Sequence, residues 1–279
     1  MSRKNVTRAC VKKIKDVSKS LPNEEMRKLF FNNAMICGGA INSLYMGTKV
    51  NDWDIYLKDT KACLPLIEHW IEGCNVSVRT EPNRIKIEKF ANSDEYFLKK
   101  INKPVEEHEK YFPKAITNNA ISLDGNVQIV MRFTGNPDVI TETFDFEHAK
   151  IVYNFSTNDI HSSQEALESM LFKRLYYTGS HYPIASMFRM RKFIKRGWNI
   201  SAGQMAKIAF QINALDLSDR AVLREQLIGV DMLYMSAFLS KMDRDGVYSL
   251  DSDYVSNLLD DIFDFPATNE EVGEDGSPF

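Results

Sequence analysis

Up to about residue 160 the apolar positions of this chain come in short alternating or continuous runs broken by turn signals. Beyond it they recur every three or four residues over long stretches. The first pattern predicts strands and short helices, the second a set of amphipathic helices. "NEEMRKLFFNN" opens on an Asn cap and reads as a helix, "AMIC" as a short buried strand, and "AINSLYMG" as a helix closed by Gly47. "DWDIYL" alternates as a strand does, with Asp52, Asp54 and Tyr56 on one face and Trp53, Ile55 and Leu57 on the other. "CLPLIEHWIEGC" predicts a helix ending at Gly73, followed by strands in "NVSVRT" and "NRIKIEKF".

Residues 91–119 are polar and interrupted by Pro104 and Pro113, which predicts an irregular or partly helical insertion. In "AISLDGNVQIVMRF", Asp124-Gly125 between two alternating runs signals a hairpin. "NPDVITETF" has the Asn cap and first-turn Pro of a helix start, and "FDFEHAKIVYN" reads as a further strand. Helical periods then run through "SSQEALESMLFKRLYY", "YPIASMFRMRKFIKRGW", "SAGQMAKIAFQINAL", "DRAVLREQLIGVDMLYMSAFLSKM" and "YVSNLLDDIF". The fold class is α+β: a mixed-sheet head with flanking helices over residues 1–158, an all-helical domain over 159–264, and an acidic, disordered tail over 265–279.

Composition narrows this little. The chain has 279 residues, 44% of them hydrophobic, enough for sizeable cores. No apolar run approaches the ~18–20 residues that cross a bilayer, so no membrane partner and no export signal are expected and the location is cytoplasmic. Cys10, Cys37, Cys63 and Cys74 lack metal-ligand spacing and read as reduced, partly buried thiols. The formal net charge of −3 is uneven: residues 251–279 hold nine acids and no Lys or Arg, leaving a body of +6. Such a body permits a nucleic-acid partner without demanding one.

Candidate chemistry concentrates in "ICGGAINSLYMGTKVNDWDIYL". A strand that ends at Gly38-Gly39 and runs into a helix lets backbone approach a phosphate, because glycine has no side chain to collide and a helix start offers unpaired N–H donors. Aspartates at i and i+2 on a strand project together and can share divalent cations, as two-metal phosphoryl chemistry requires.

That stretch resembles the head motif of the DNA polymerase β-like nucleotidyltransferases, most nearly the heads of tRNA CCA-adding enzymes and poly(A) polymerases: Gly-Gly, a helix, a Gly, then Asp-x-Asp. As a whole the chain resembles nucleotidyltransferase-like proteins encoded by bacteriophages. The resemblance implies that Gly38 and Gly39 hold a triphosphate and that Asp52 and Asp54 ligate metal; Ser43, Lys49 beside the Asp-x-Asp strand and Arg189 on a later basic helix are further candidate nucleotide contacts. It also implies a third carboxylate on a later strand, for which Asp145 in "TFDFEHAKIVY" is the choice and Glu147 the reserve. Ile41-Asn42-Ser43 stands where those families carry Val-Arg-Asp, and neither an Arg-Arg-Asp-Phe nor a Glu-Asp-x-x-Arg motif is present, so CCA specificity does not carry over.

Basic residues supply candidates for an RNA backbone: Lys173 and Arg174 beside two tyrosines, and Arg191, Lys192, Lys195 and Arg196 on the helix that holds Arg189. Lys58 and Arg132 are weaker phosphate candidates. His148 is expected as a buried, hydrogen-bonded histidine, and His69, His108, His161 and His181 have no role. The implied activity is transfer of NMP from an NTP, ATP or CTP, to an acceptor hydroxyl with two Mg²⁺, or Mn²⁺. The preferred acceptor is a tRNA-like RNA 3′ end, in the host cytoplasm if the protein is viral. A protein or small-molecule hydroxyl, or a non-catalytic nucleotide-binding module, are the alternatives.

Overall fold

The computed structural model describes residues 1–72, 77–88, 110–117, 119–217 and 219–227, with scattered positions between 241 and 260. The chain divides into two compact units, Met1–Phe172 and Lys173–Phe279. The division falls after the 158/159 boundary expected from the sequence, because a strand and a helix beyond residue 158 belong to the first unit. Most of the 91–119 insertion, the sequence-predicted helical runs after residue 227, Gly73, Cys74, His108 and the acidic tail lie outside the described residues.

The first unit begins with α1 (Arg3–Val17), a helix that the sequence reading passed over. α2 (Glu24–Asn33) starts where Asn23 Oδ1 accepts the Met26 N–H at 2.9 Å. It leads into β1 (Ala34–Cys37), α3 (Gly39–Met46), β2 (Trp53–Leu57) and α4 (Leu64–Trp70). A separate hairpin, β3 (Ser77–Glu81) and β4 (Arg84–Glu88), follows. Then come β5 (Pro113–Ile116), β6 (Ala120–Leu123), β7 (Val127–Thr134), α5 (Pro137–Thr141), β8 (Ile151–Asn154), β9 (Asp159–Ser162) and α6 (Gln164–Leu171). The β6–β7 turn has Gly125 and Asn126 at φ +72° and +55°, the left-handed pair that a tight hairpin turn demands.

Seven strands form one sheet in the order β5-β6-β7-β2-β1-β8-β9, antiparallel throughout except for the parallel β2–β7 pair. β1 is buried on both faces, and Met35, Ile36, Ile55 and Leu57 have no exposed surface. Each such side chain contributes about 1.5–3 kcal/mol of burial. Ile140 of α5 packs with Met35, Cys37 and Val152 on one face, joined by Tyr56 and Phe144. On the opposite face Lys13 of α1 lies over the Trp53 ring.

The second unit carries β10 (Arg174–Leu175), α7 (Pro183–Lys195), β11 (Asn199–Ile200), α8 (Ala202–Asn213) and α9 (Arg220–Leu227). Among its described residues the regular structure is helical apart from the two-residue parallel ladder β10–β11, which the sequence pattern does not predict. Residues 173–177 were expected to continue a helix; instead α6 ends at Leu171 and Lys173 turns the chain at φ +49°. Among the described residues no helix is long and apolar enough to cross a membrane.

Candidate active site

β1 and β2 run antiparallel with Ile36 opposite Ile55, so the end of β1 and the start of β2 meet at the same end of the central strands. That end carries Gly38 directly after β1 and Asp52 directly before β2. Gly38 adopts φ +65°, ψ −122°, a conformation that side chains at Cβ disfavour, and its N–H donates to the Ile151 carbonyl at 3.0 Å. It caps α3 without a side chain, so no capping oxygen occupies the first turn of the helix. Gly39 is exposed, and a Cβ built there meets nothing within 4 Å. Of the two glycines, only Gly38 is required by the backbone; the space over Gly39 lies open for a group approaching the helix start.

Asp54 lies on the strand and is half-buried, while Asp52 is exposed in irregular backbone one residue outside it. Burial first, and the Asp52 charge second, push the Asp54 carboxyl up to about 6. Two hard oxygen donors at i and i+2, held against their own repulsion, suit a divalent cation, which relieves that repulsion on binding. The pair therefore fits the metal that the resemblance implies.

Asp145 sits on a bend, followed by a 3₁₀ turn over Glu147–Ala149. The expected strand through residues 144–150 is absent, and with it the alternation assigned to Asp145, Glu147 and His148; regular strand begins only at Ile151. Phe144 packs edge-on against Tyr56 at 5.8 Å, on the sheet face that Tyr56 shares with Asp54, and Asp145 beside it is buried. Among the described residues, no group of three or more His, Cys, Asp or Glu is gathered to hold a metal ion. Glu147 is half-buried and engaged by Lys150 at 3.3 Å and by the Ser163 hydroxyl, which donates to it at 3.1 Å.

His148 is buried, and burial pushes its imidazole down to about 4 against the opposing pull of the Asp145 charge. Asn42 of α3 donates from Nδ2 to the His148 carbonyl at 3.0 Å, tying the glycine-turn helix to the Asp145 segment. Ser43 lies one turn along α3 from Gly39, with its carbonyl accepting the Thr48 N–H at 2.9 Å. Lys49 is exposed on the segment that leads to Asp52. Lys58 stands at the far end of β2 and donates to Ser156 Oγ. Arg132 is four positions past the Asp54 partner Gln128 on β7 and donates to Asn119 Oδ1 at 3.2 Å.

In the second unit Arg189 and Arg191 are half-buried on α7, whereas Lys192, Lys195 and Arg196 are exposed in and just after its last turn, where cations complement the helix dipole. Lys173 is half-buried and Arg174 exposed on β10. The sequence reading missed Asn42 as a tie, and Lys13 and Tyr111 as neighbours of the carboxylate strand. The spacing of Val6, Cys10, Ile14 and Val17, all fully buried along α1, is the signal that would have placed Lys13 on a packed helix.

A family model described as Gabija anti-defense 2 family protein matches residues 4–173, the extent of the first unit. Gabija anti-defense 2 of Bacillus phage SPbetaL7 is 25% identical over 279 positions, covering 91% of this chain and 62% of that protein. Among solved structures, a Thermotoga maritima CCA-adding enzyme complexed with tRNA aligns with a TM-score of 0.44 at 11% identity, over 84% of this chain and 54% of the enzyme. A Bacillus stearothermophilus CCA-adding enzyme in complex with CTP aligns with a TM-score of 0.38 at 10% identity, over 74% of this chain and 44% of the enzyme. The chain thus spans less than two thirds of each.

Proposed function

The chain belongs to the Gabija anti-defense 2 family, and from that premise we propose that it is a phage-type counter-defence enzyme acting in the host cytoplasm as a metal-dependent nucleotidyltransferase. It moves NMP from ATP or CTP onto an acceptor hydroxyl and releases pyrophosphate. The observation that carries this reading is the meeting of the Gly38 turn and the Asp52/Asp54 pair at one end of the central strands β1 and β2.

Asp52 and Asp54 hold divalent metal, Mg²⁺ or Mn²⁺, which when bound neutralises triphosphate charge and acidifies the acceptor hydroxyl. The open space over Gly39 admits a phosphate to the backbone at the start of α3. Lys49 and Ser43 add nucleotide contacts from the same helix–loop segment. Asp145 is the third carboxylate and takes the acceptor proton. The acceptor oxygen bonds to the α-phosphorus, the bond from that phosphorus to the α,β-bridging oxygen breaks, and pyrophosphate leaves with its electron pair.

The preferred acceptor is a tRNA-like RNA 3′ end, a choice supported by the exposed Lys192, Lys195 and Arg196, with Lys173, Arg174 and Arg191 as further phosphate contacts. The family description favours a second acceptor, a hydroxyl on a protein or small molecule of the Gabija defence. Transfer from each of four α-labelled NTPs to total RNA or to protein of Gabija-bearing cells separates the two. Label on RNA that disappears with Asp52→Asn/Asp54→Asn, and falls with Lys192→Gln/Lys195→Gln/Arg196→Gln, supports the first; label on protein that the triple variant leaves alone supports the second. Counter-defence that survives Asp52→Asn/Asp54→Asn, with no label on any acceptor, overturns the enzyme in favour of a binding module.

A further inference from the structure

Behind the carboxylate strand, on the face opposite Asp54, three elements converge on Trp53. Its backbone N–H donates to the Asn126 carbonyl of the β6–β7 turn at 2.8 Å. Its ring lies 5.0 Å from Lys13 Nζ, and the same ammonium lies 5.5 Å from the Tyr111 ring, so Lys13 bridges two aromatic faces. Tyr111 is 2% exposed and donates from its hydroxyl to Asp16 Oδ2 at 2.6 Å, one turn along α1 from Lys13. Lys110 Nζ lies 2.8 Å from the same oxygen. The Tyr111 ring also covers the hairpin turn: a Cβ on Gly125 would come within 3.0 Å of it.

Tyr111 makes these contacts at φ +68°, a conformation that costs a bulky residue of the order of 1–3 kcal/mol and persists only where surrounding contacts hold it. The contacts named are of that kind: α1 through Asp16, the hairpin through Gly125, and β2 through Lys13 and Trp53. Asp52 lies immediately before Trp53, outside the regular strand, so the carboxylate pair inherits the position of the Trp53 backbone.

We infer that Lys13, Tyr111 and Trp53 form a positioning clamp that fixes Asp52 relative to Asp54 for metal binding. This rests on the reading of that pair as metal ligands. The clamp sets the backbone from behind and touches neither nucleotide nor metal. Removing a supporting partner behind a metal ligand costs 10–100-fold in metal affinity in general, and the clamp belongs at the low end of that range because it acts through backbone.

The test is Mn²⁺ binding by the full chain, followed calorimetrically without nucleotide, with thermal unfolding measured on the same samples. Lys13→Met and Trp53→Leu are expected to weaken Mn²⁺ about tenfold, Lys13→Arg to restore most of the affinity by keeping the cation over the rings, and Tyr111→Phe to fall between. Val6→Ala, a cavity in α1 away from the clamp, lowers the unfolding temperature and leaves the affinity alone. Equal Mn²⁺ affinity in Lys13→Met and wild type overturns the clamp while leaving the carboxylate reading intact. Wild-type Mn²⁺ binding that Asp52→Asn/Asp54→Asn does not weaken overturns the carboxylate reading, and the clamp with it.

Discussion

Asp54 and Cys37 sit side by side at the end of the β1–β2 ladder, one position beyond the Ile36–Ile55 pair. Burial, and secondarily the Asp54 charge, push the Cys37 thiol well above its ordinary range. Cys37 is 1% exposed, free of any disulfide, and packed with Met35, Ile140 and Val152. The neighbour of the carboxylate is thus an inert apolar wall, and the charge on Asp54 is expressed toward Asp52 and the end of the strands. The same wall withholds from Asp54 the solvation that an exposed aspartate enjoys, which links the site's chemistry to the stability of the apo fold.

Asp54→Asn is expected to stabilise the apoprotein while abolishing transfer. The Asp54 carboxyl stands at about 6 in the folded chain, above the ~3.9 of an unfolded aspartate. The folded state therefore binds more protons between those values, and stability falls as pH rises from about 4 to 6. Above pH 6 the full cost is present, about 3 kcal/mol at most by that difference. In EDTA at pH 7, Asp54→Asn should unfold about 5 °C above wild type, with the gap closing by pH 4, and label transfer should drop at least about 10²-fold. An unchanged unfolding temperature at pH 7 would contradict the charge assigned to Asp54.

His148 produces the opposite slope. Burial holds its imidazole at about 4, below the ~6.5 of an unfolded histidine. Between those values the unfolded chain takes up the proton first, so the stability present above pH 6.5 is lost as pH falls toward 4, by about 3 kcal/mol in total. His148→Gln removes this titration. The difference in unfolding free energy between wild type and variant should shrink from pH 7 to pH 4, while a pH-independent difference would place the proton elsewhere.

Much of this arrangement is legible in the sequence because local signals decide it. Asn23 and Asn136 cap the helices that their positions announce, Gly47 closes α3 at φ +70°, and Asp124-Gly125 turns the hairpin. The order of the glycine pair and the two aspartates marks them in the sequence as one candidate cluster, and the β1–β2 register brings them together at one end of those strands. What failed depended on tertiary context. Residues 144–150 alternate as a strand does, yet Phe144 docks on Tyr56 and the backbone bends into a 3₁₀ turn. Tyr111 reads as one more residue of a polar insertion, and its role comes from contacts with Asp16 and Gly125 that no local window contains.

The two glycines at the start of α3 are expected to separate fold from the proposed function. Gly38 has φ +65°, and a Cβ there would meet only the Ala149 carbonyl at an ordinary 3.6 Å, so the penalty of Gly38→Ala is conformational, about 1–3 kcal/mol. Gly39 is the first residue of α3, a Cβ on it meets nothing, and alanine suits a helix better than glycine. Gly39→Ala should therefore raise stability by about 0.4–1 kcal/mol, yet its methyl occupies the space through which a phosphate reaches the helix start. Thermal unfolding and NTP affinity measured on both variants give the answer. Gly38→Ala loses stability, whereas Gly39→Ala keeps or gains stability and loses NTP affinity about tenfold, the scale of one strong anion hydrogen bond. Full NTP affinity in Gly39→Ala would move the triphosphate away from the start of α3 and return the strand end to its carboxylates alone.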